Sequence, residues 1–272
     1  MKQLDVYNPF GAPVYHEAVV GSTMDVSRVL AGKGEPHGTA ITADFQEEGR
    51  GRILQRIWNS EWGKNLLFTI LLRYPRIEDI PLALTLRAGL AVSLAIEVFA
   101  PALAGKVLIK WPNDILIAFS RAGAGANAVE AKKVCGIYAD ADGGNVHLGI
   151  GVNLAQNKLP ESLQGKATSI SLAMQRLGNP FTGGAEARFL LLETILVQLY
   201  NELEADKEQH NWCKHINERL FKINTQVSFA SGAADSNNVT TGILEGIGPE
   251  GELVILARGK NERQSFISGE MV

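Results

Sequence analysis

The patterning of the chain changes abruptly at Phe221. Beyond it, residues 226–229, 239–244, 253–257 and 264–267 are short strand-like runs parted by Gly, Asn and Ser turns. About fifty residues of strand and turn predict a small β-barrel attached to a larger α+β unit. We therefore expect two units, 1–221 and 222–272. A length of 272 residues, about twice a typical domain, fits one large domain with a small appendage.

Within the first unit, residues 24–32 read as a short helix with Ser22 or Thr23 as its N-cap. Residues 39–45 and 66–72 are strand-like, and 82–99 reads as a buried helix rich in Ala and Leu. Further strand-like runs lie at 107–111, 115–119, 134–139 and 146–152. The Ala- and Gly-heavy stretch 121–131 between them predicts a flexible hairpin loop. Ala185, Phe189, Leu192, Leu196, Leu199 and Leu203 are spaced 4, 3, 4, 3 and 4, the apolar stripe of an amphipathic helix.

Composition removes several classes. With 26 basic and 29 acidic residues the net charge is -3, against a protein held to nucleic acid by phosphate neutralisation. A hydrophobic content of 46% and a charged content of 20% exclude a disordered chain. The first residues contain Asp5 and no apolar run, so they are no secretory signal. The most apolar stretch, 88–96, is too short to span a bilayer. Cys135 and Cys213 are the two cysteines and form no CxxC, so no disulfide framework or zinc site is expected. These features predict a cytoplasmic protein with no membrane partner.

Two patterns resemble chemistry without supporting it. Gly246, Gly248 and Gly251 match GxGxxG, but a dinucleotide site needs a helix afterwards, and here Pro249 and a strand-like run follow. The pattern reads as a hairpin turn. His210, Cys213 and His215 are close in sequence, yet His215 points off the face the other two share, and no fourth ligand is in sight. That reads as a polar helix end. No Ser/His/Asp or Cys/His set stands out in the sequence.

Three segments remain. Gln46 to Arg52 places Gly49 and Gly51 beside Arg50 and Arg52, with Arg56 beyond: glycines admit close backbone approach, and guanidinium forks suit carboxylate or phosphate. A solvated turn reads equally well. At 110–114, Lys110–Trp111–Pro112–Asn113–Asp114 ends a strand on a cation and follows it with paired polar groups, which also build turns. Lys133–Val134–Cys135–Gly136 sets a lysine beside a buried run, where it can meet developing phosphate charge. Gly149 to Asn153 ends the next strand, with small residues for a flat ring and an Asn for polar edges. Together they suit activation of a carboxylate by ATP, in which the protein orients reactants and neutralises charge. They do not suit covalent catalysis.

The order of these motifs resembles the biotin protein ligases (biotin–acetyl-CoA-carboxylase ligases). It runs Ser22–Thr23, Gln46 with Gly49–Arg50–Gly51–Arg52, Trp58, Gly63–Lys64–Asn65–Leu66, KWPND at 110–114, Lys133 to Gly136, then Gly149 to Asn153. The ending Ile267–Ser268–Gly269–Glu270 looks like that family's small SH3-like domain. The resemblance implies an α+β fold: a central mixed/antiparallel sheet flanked by helices in a catalytic domain over 1–221, and an SH3-like barrel over 222–272. It implies two steps, biotin plus ATP to biotinyl-5′-AMP, then transfer to a lysine of a biotin carboxyl carrier protein, with Mg2+ accompanying ATP.

By motif, the resemblance puts Ser22, Thr23, Met24, Gln46, Gly49, Arg50, Gly51, Arg52, Lys133 and Gly136 at biotin. It puts Arg52, Arg56, Trp58, Lys110, Asn113, Asp114, Lys133 and Asn153 at ATP. Lys133, Arg52 and Asp114 form the catalytic set, with Lys133 chosen over Lys132 because its K-x-x-G spacing to Gly136 fits the family. The chain departs from the family at Ile53–Leu54–Gln55–Arg56, where a second Gly-Arg is usual. Some members carry an N-terminal winged helix; only about twenty residues precede Ser22, so no DNA binding is expected. The carrier is expected to add a strand to an exposed sheet edge, which could also serve a homodimer. The nearest alternatives are a lipoate or octanoate ligase or transferase of the same fold, and a non-catalytic biotin-binding module.

Overall fold

The structure is a computed structural model that describes residues 1–51, 58, 60–120, 129–184, 186–205, 211–232, 239–259 and 262–272. The chain opens with β1 (Lys2–Leu4), β2 (Val14–Val20), α1 (Thr23–Gly32) and β3 (Ala40–Gln46). A helical crossover between neighbouring strands makes them parallel, and β2 and β3 pair from Val14 opposite Ala40 to Val20 opposite Gln46. Neither β1 nor β2 is foreseen from sequence. β2 carries His16 and Glu17 at its centre and lacks a clean alternation.

Then come β4 (Asn65–Arg73), α2 (Leu84–Phe99), β5 (Val107–Lys110), β6 (Asp114–Ser120), β7 (Val129–Asp142) and β8 (Asn145–Asn153). Short connections fold β5 to β8 into a meander, and β8 lies antiparallel along the whole of β4. The sheet order is β1-β2-β3-β4-β8-β7-β6-β5, antiparallel except at β2/β3, and so mixed as expected. β7 is longer than the predicted 134–139 because Glu130, Lys132 and Lys133 disguise its first half. Glu130 and Lys132 pair across 3.0 Å and take up ladder positions opposite Phe119 and Ile117. Of the predicted loop 121–131, residues 129–131 therefore belong to β7, and 121–128 lie outside the described residues.

α2 is apolar around most of its circumference, which suits a helix covered on all sides. It packs between the sheet and α4 (Ala187–Tyr200), after the short α3 (Ile170–Arg176). The segment Ile77–Phe99 is long and apolar enough to cross a bilayer, a longer stretch than the sequence reading recognised. Its greater part, Leu84–Phe99, is the central core helix α2, with Ala88, Ala91, Val92, Ala95 and Ile96 at zero exposure, while Ile77 and Leu82 before it are exposed. On α4, the expected stripe residues Leu192, Leu196 and Leu199 are fully buried, and Leu203 follows in a π-helical turn, Asn201–Ala205.

After α5 (Trp212–Glu218), five strands form a separate antiparallel sheet: β9 (Gln226–Ser231), β10 (Val239–Ile247), β11 (Leu253–Ala257), β12 (Arg263–Phe266) and β13 (Gly269–Met271). Its order, β12-β11-β10-β9-β13, is compatible with an SH3-like domain. The GxGxxG match falls in the β10–β11 hairpin and is followed by a strand. Gly251 has φ +89°, and a Cβ there would lie 2.5 Å from Ala83 Cβ, so the turn rests directly on the start of α2.

Candidate active site

The site forms where α1 crosses the sheet above β4 and β8. Ser22 caps α1 from an extended conformation, its Oγ accepting from the Met24 N–H at 3.3 Å. That places Thr23 and Met24 in the helix's first turn, over Thr69 and Gly149, which face each other across β4 and β8. A Cβ on Gly149 would meet Met24 Sδ at 3.2 Å, so the small residue sets how closely α1 approaches. At the end of β3, Gln46 Oε1 accepts from the Thr23 N–H at 2.8 Å and from Thr23 Oγ1 at 2.9 Å.

The chain after β3 continues along the end of β2, with the N–H groups of Glu47 and Glu48 donating to Val20 and Gly21. The Gly49 carbonyl accepts from the Trp58 N–H at 3.0 Å. Arg50 grips Asp25 of α1 with both guanidinium nitrogens, at 3.0 and 2.8 Å. The described ends of the loop are thus held, 47–50 against β2 and α1 and Trp58 against Gly49.

Gly136 and Gly151 are ladder partners in β7 and β8, and together they make a flat floor. The Trp58 indole lies on it: a Cβ on either glycine would come within 2.9 Å of the ring. Trp58 Nε1 is buried with no hydrogen-bond partner among the described residues. Lys133 Nζ stands 5.7 Å from that ring's centroid and pairs with Asp114 Oδ1 at 2.6 Å. Asn113 is held by its amide, which donates to the Ile137 carbonyl at 2.7 Å.

One cleft therefore gathers Ser22, Thr23, Met24, Gln46, Arg50, Gly51, Trp58, Asn113, Lys133 and Gly136, all named from sequence. Asp114 stands behind Lys133, and Gly49 contributes through its carbonyl. Lys110 and Asn153 are not brought to the cleft. Asn153 is buried and committed elsewhere: its Oδ1 accepts from Asn65 at 3.0 Å and from Gln156 at 3.3 Å, and its Nδ2 donates to the Thr168 carbonyl at 3.1 Å. Those bonds tie the loop after β8 to β4. Arg52 and Arg56 lie outside the described residues. Phe68, Ile137, Tyr138 and Ile150 also line the cleft without having been singled out, since strand residues carry no local mark of facing a ligand.

The structure does assemble a Ser–His–Asp line that sequence spacing hides. Ser27 Oγ and His147 Nδ1 are 2.8 Å apart, and His147 Nε2 faces Asp142 Oδ2 at 3.4 Å. Ser27 and His147 are sealed, at 1% and 0% exposure, so no substrate reaches the hydroxyl. Burial pushes the imidazole pKa down, which suits a neutral ring pinning α1 to β8. Cys135 is fully buried and burial pushes its thiol pKa up, while Cys213 donates to the Ile247 carbonyl at 3.2 Å. Neither is poised as a nucleophile. Of the suspected HNWCKH ligands, His210 lies outside the described residues. Among the described residues, no group of three or more His, Cys, Asp or Glu side chains could hold a metal ion.

Comparison with known proteins gives this geometry a context. Residues 18–157 match the profile of the biotin/lipoate A/B protein ligase family. This chain belongs to that family. Its matched segment carries α1, the basic loop, KWPND, Lys133 and the glycine floor. As a member of the biotin/lipoate ligase family it is 37% identical over 171 residues to the bifunctional ligase/repressor BirA of Bacillus subtilis, covering 59% of this chain and 46% of that protein. It is 32% identical over 161 residues to the biotin–acetyl-CoA-carboxylase ligase of Mycobacterium tuberculosis, covering 56% of this chain and 53% of that one. The chain thus spans about half the length of the curated relatives it matches. Among solved structures, the biotin protein ligase of Aquifex aeolicus in complex with biotin and ATP superposes with a TM-score of 0.73 at 27% identity. That likeness covers 95% of this chain and 97% of that one.

Proposed function

We propose that the chain is an ATP-dependent ligase that activates biotin as biotinyl-5′-AMP and transfers the biotinyl group to a lysine of a biotin carboxyl carrier protein. The carrying observation is a single cleft lined by neutral hydrogen-bonding groups (Ser22, Thr23, Gln46) and by cations (Lys133, Arg50), with no histidine or cysteine among its described lining residues. Such a lining orients and neutralises reactants without forming a covalent enzyme intermediate.

In the first step a biotin carboxylate oxygen attacks the α-phosphorus of ATP, and pyrophosphate leaves with the electrons of the broken P–O bond. Lys133 meets the carboxylate and the α-phosphate together. Arg50 and Gly51, with Arg52 assigned to the same loop by sequence, close on the adenylate. Asn113 and Asp114 would hold the phosphates, and Asp114 would hold the Mg2+ that neutralises them. A cation that arrives with phosphate oxygens and keeps waters needs one or two protein carboxylates rather than a cage, and Asp114 beside Lys133 fits that demand. In the second step a carrier lysine amine attacks the acyl carbon of the mixed anhydride, AMP leaves and the amine sheds a proton.

The same reading assigns 1–221 to catalysis and 222–272 to the SH3-like unit, and places the enzyme in the cytoplasm with its ATP. The carrier strand is assigned to the outer edge of β1, with a second copy of this chain as the other user of that edge. The opposite edge, at β5, is covered: Ile109 bonds Arg219 and Phe221 through its N–H and carbonyl at 2.8 Å each.

The test supplies purified protein with biotin, ATP, Mg2+ and a carrier domain. Pyrophosphate release and a biotinylated carrier are expected. Absence of pyrophosphate overturns the reading, and release with lipoate but not biotin transfers it to a lipoate ligase.

A further inference from the structure

Thr69 sits in the middle of β4 at zero exposure, beneath the cleft and outside its lining. Its hydroxyl bonds Thr23 Oγ1 at 2.9 Å, and Thr23 in turn bonds Gln46 at 2.9 Å. The direction of every proton in this chain follows from chemistry. The Thr23 backbone N–H can only donate, so the Gln46 atom it meets at 2.8 Å is the amide oxygen. An amide oxygen can only accept, so the Thr23 hydroxyl spends its one proton there. Thr69 must then donate to Thr23, filling one of that oxygen's two lone pairs.

What remains for a ligand is defined. Thr23 keeps one lone pair, an acceptor. Among the described residues, Gln46 keeps both hydrogens of Nε2, which are donors. Ser22 Oγ already accepts from the Met24 N–H and keeps its own proton, another donor. Donors beside a single acceptor match a cyclic urea, whose carbonyl accepts and whose adjacent N–H donates. A dithiolane ring offers no such groups.

We propose that Thr69 is a positioning residue that sets the ureido specificity of the cleft by holding Thr23 in one rotamer with one lone pair outward. The inference rests on the biotin reading above and adds to it a residue that touches no substrate.

Two substitutions separate this role from plain packing. Thr69→Val keeps the volume and removes the donor; Thr69→Ser keeps the donor and removes a methyl. If the hydroxyl positions Thr23, Thr69→Val raises the KM and calorimetric Kd for biotin about tenfold, with kcat changed far less, while Thr69→Ser stays within about threefold of the parent. If Thr69 only fills space, Thr69→Ser is the worse variant, and that order overturns the proposal, as does equal weakening in both or none in either. Should Thr69→Val fail to fold, Thr69→Ser decides alone: a tenfold loss of biotin affinity there refutes the role. A parent protein that binds no biotin would instead refute the biotin reading itself.

Discussion

Lys133 carries more of the proposed chemistry than any other side chain described, and its surroundings explain how. It leaves β7 at a register shift opposite Ile115 and Leu116, is about one-third exposed, and pairs with Asp114 at 2.6 Å. A side chain held at a fixed place before reaction stabilises developing charge with little reorganisation. Lys133→Ala should slow single-turnover adenylate formation by about 10² or more, the scale of losing one preorganised donor. An unchanged rate in a quenched-flow measurement would remove Lys133 from the mechanism. His147 makes a different kind of prediction. Its pKa is depressed by burial, against the pull of Asp142 and Asp140 and with Arg28 adding to the depression. The unfolded chain therefore takes up a proton that the native ring resists as pH falls below about 6.5. Stability is lost in that direction. Asp142, whose own pKa is lowered chiefly by the Asn145 amide, stays charged through that window. Thermal unfolding should drop in Tm between about pH 7.5 and 5.5, and His147→Gln should flatten the drop. Parallel slopes in the two proteins would show that the acid sensitivity originates elsewhere.

At the scale of elements, the floor of the cleft is a pair of strands that have given up side chains at facing positions. A methyl on Gly151 would stand 2.7 Å from the Trp58 ring, closer than real contacts allow. Gly151→Ala should push the indole off the floor, red-shifting the Trp58 contribution to emission and slowing adenylation by about 10- to 100-fold. Emission and rate both unchanged would mean the ring does not use this platform in solution. Much of this was legible beforehand, because the Lys133–Gly136 and Gly149–Asn153 runs and the KWPND and GRGR motifs are local features. The positions of α1, β3, β4, α2 and β8 were legible too, since each is strongly apolar or clearly capped. What escaped was set by tertiary partners. β2 is a strand because β1 and β3 flank it, despite His16 and Glu17. The charged half of β7 is a strand because β6 supplies its ladder and Arg176 neutralises Glu130 at 3.0 Å. Asn153 looked like a reader of polar edges; Asn65 and Gln156 occupy its oxygen and Thr168 takes one of its two N–H groups, and no local pattern announces partners that distant.

At the scale of the molecule, the two sheets are joined by the residues that flank the cleft. Trp111 belongs to the KWPND motif, but its indole N–H donates to the Gly251 carbonyl at 3.0 Å and its ring meets Phe229 at 5.6 Å. Asn113, two residues on, lines the cleft, so one short motif connects the C-terminal sheet to the site. A second joint comes from α5, where Asn217 donates to the Ile247 carbonyl at 3.1 Å and accepts from the Ile247 N–H at 2.7 Å. An amide that satisfies both backbone groups of one residue does the work of a ladder partner on the side β9 no longer covers, since β9 pairs with β10 only as far as Ile243. Removing it leaves the Ile247 N–H without its partner and its carbonyl with only the weak Cys213 thiol donor, a cost of about 2 kcal/mol. Asn217→Ala should therefore lower stability by that amount and speed amide exchange in the β10–β11 hairpin, while β4 and β8 keep their protection. If instead the amides of β4 and β8 exchange faster to the same degree, the two sheets open as one cooperative unit and Asn217 is no local joint.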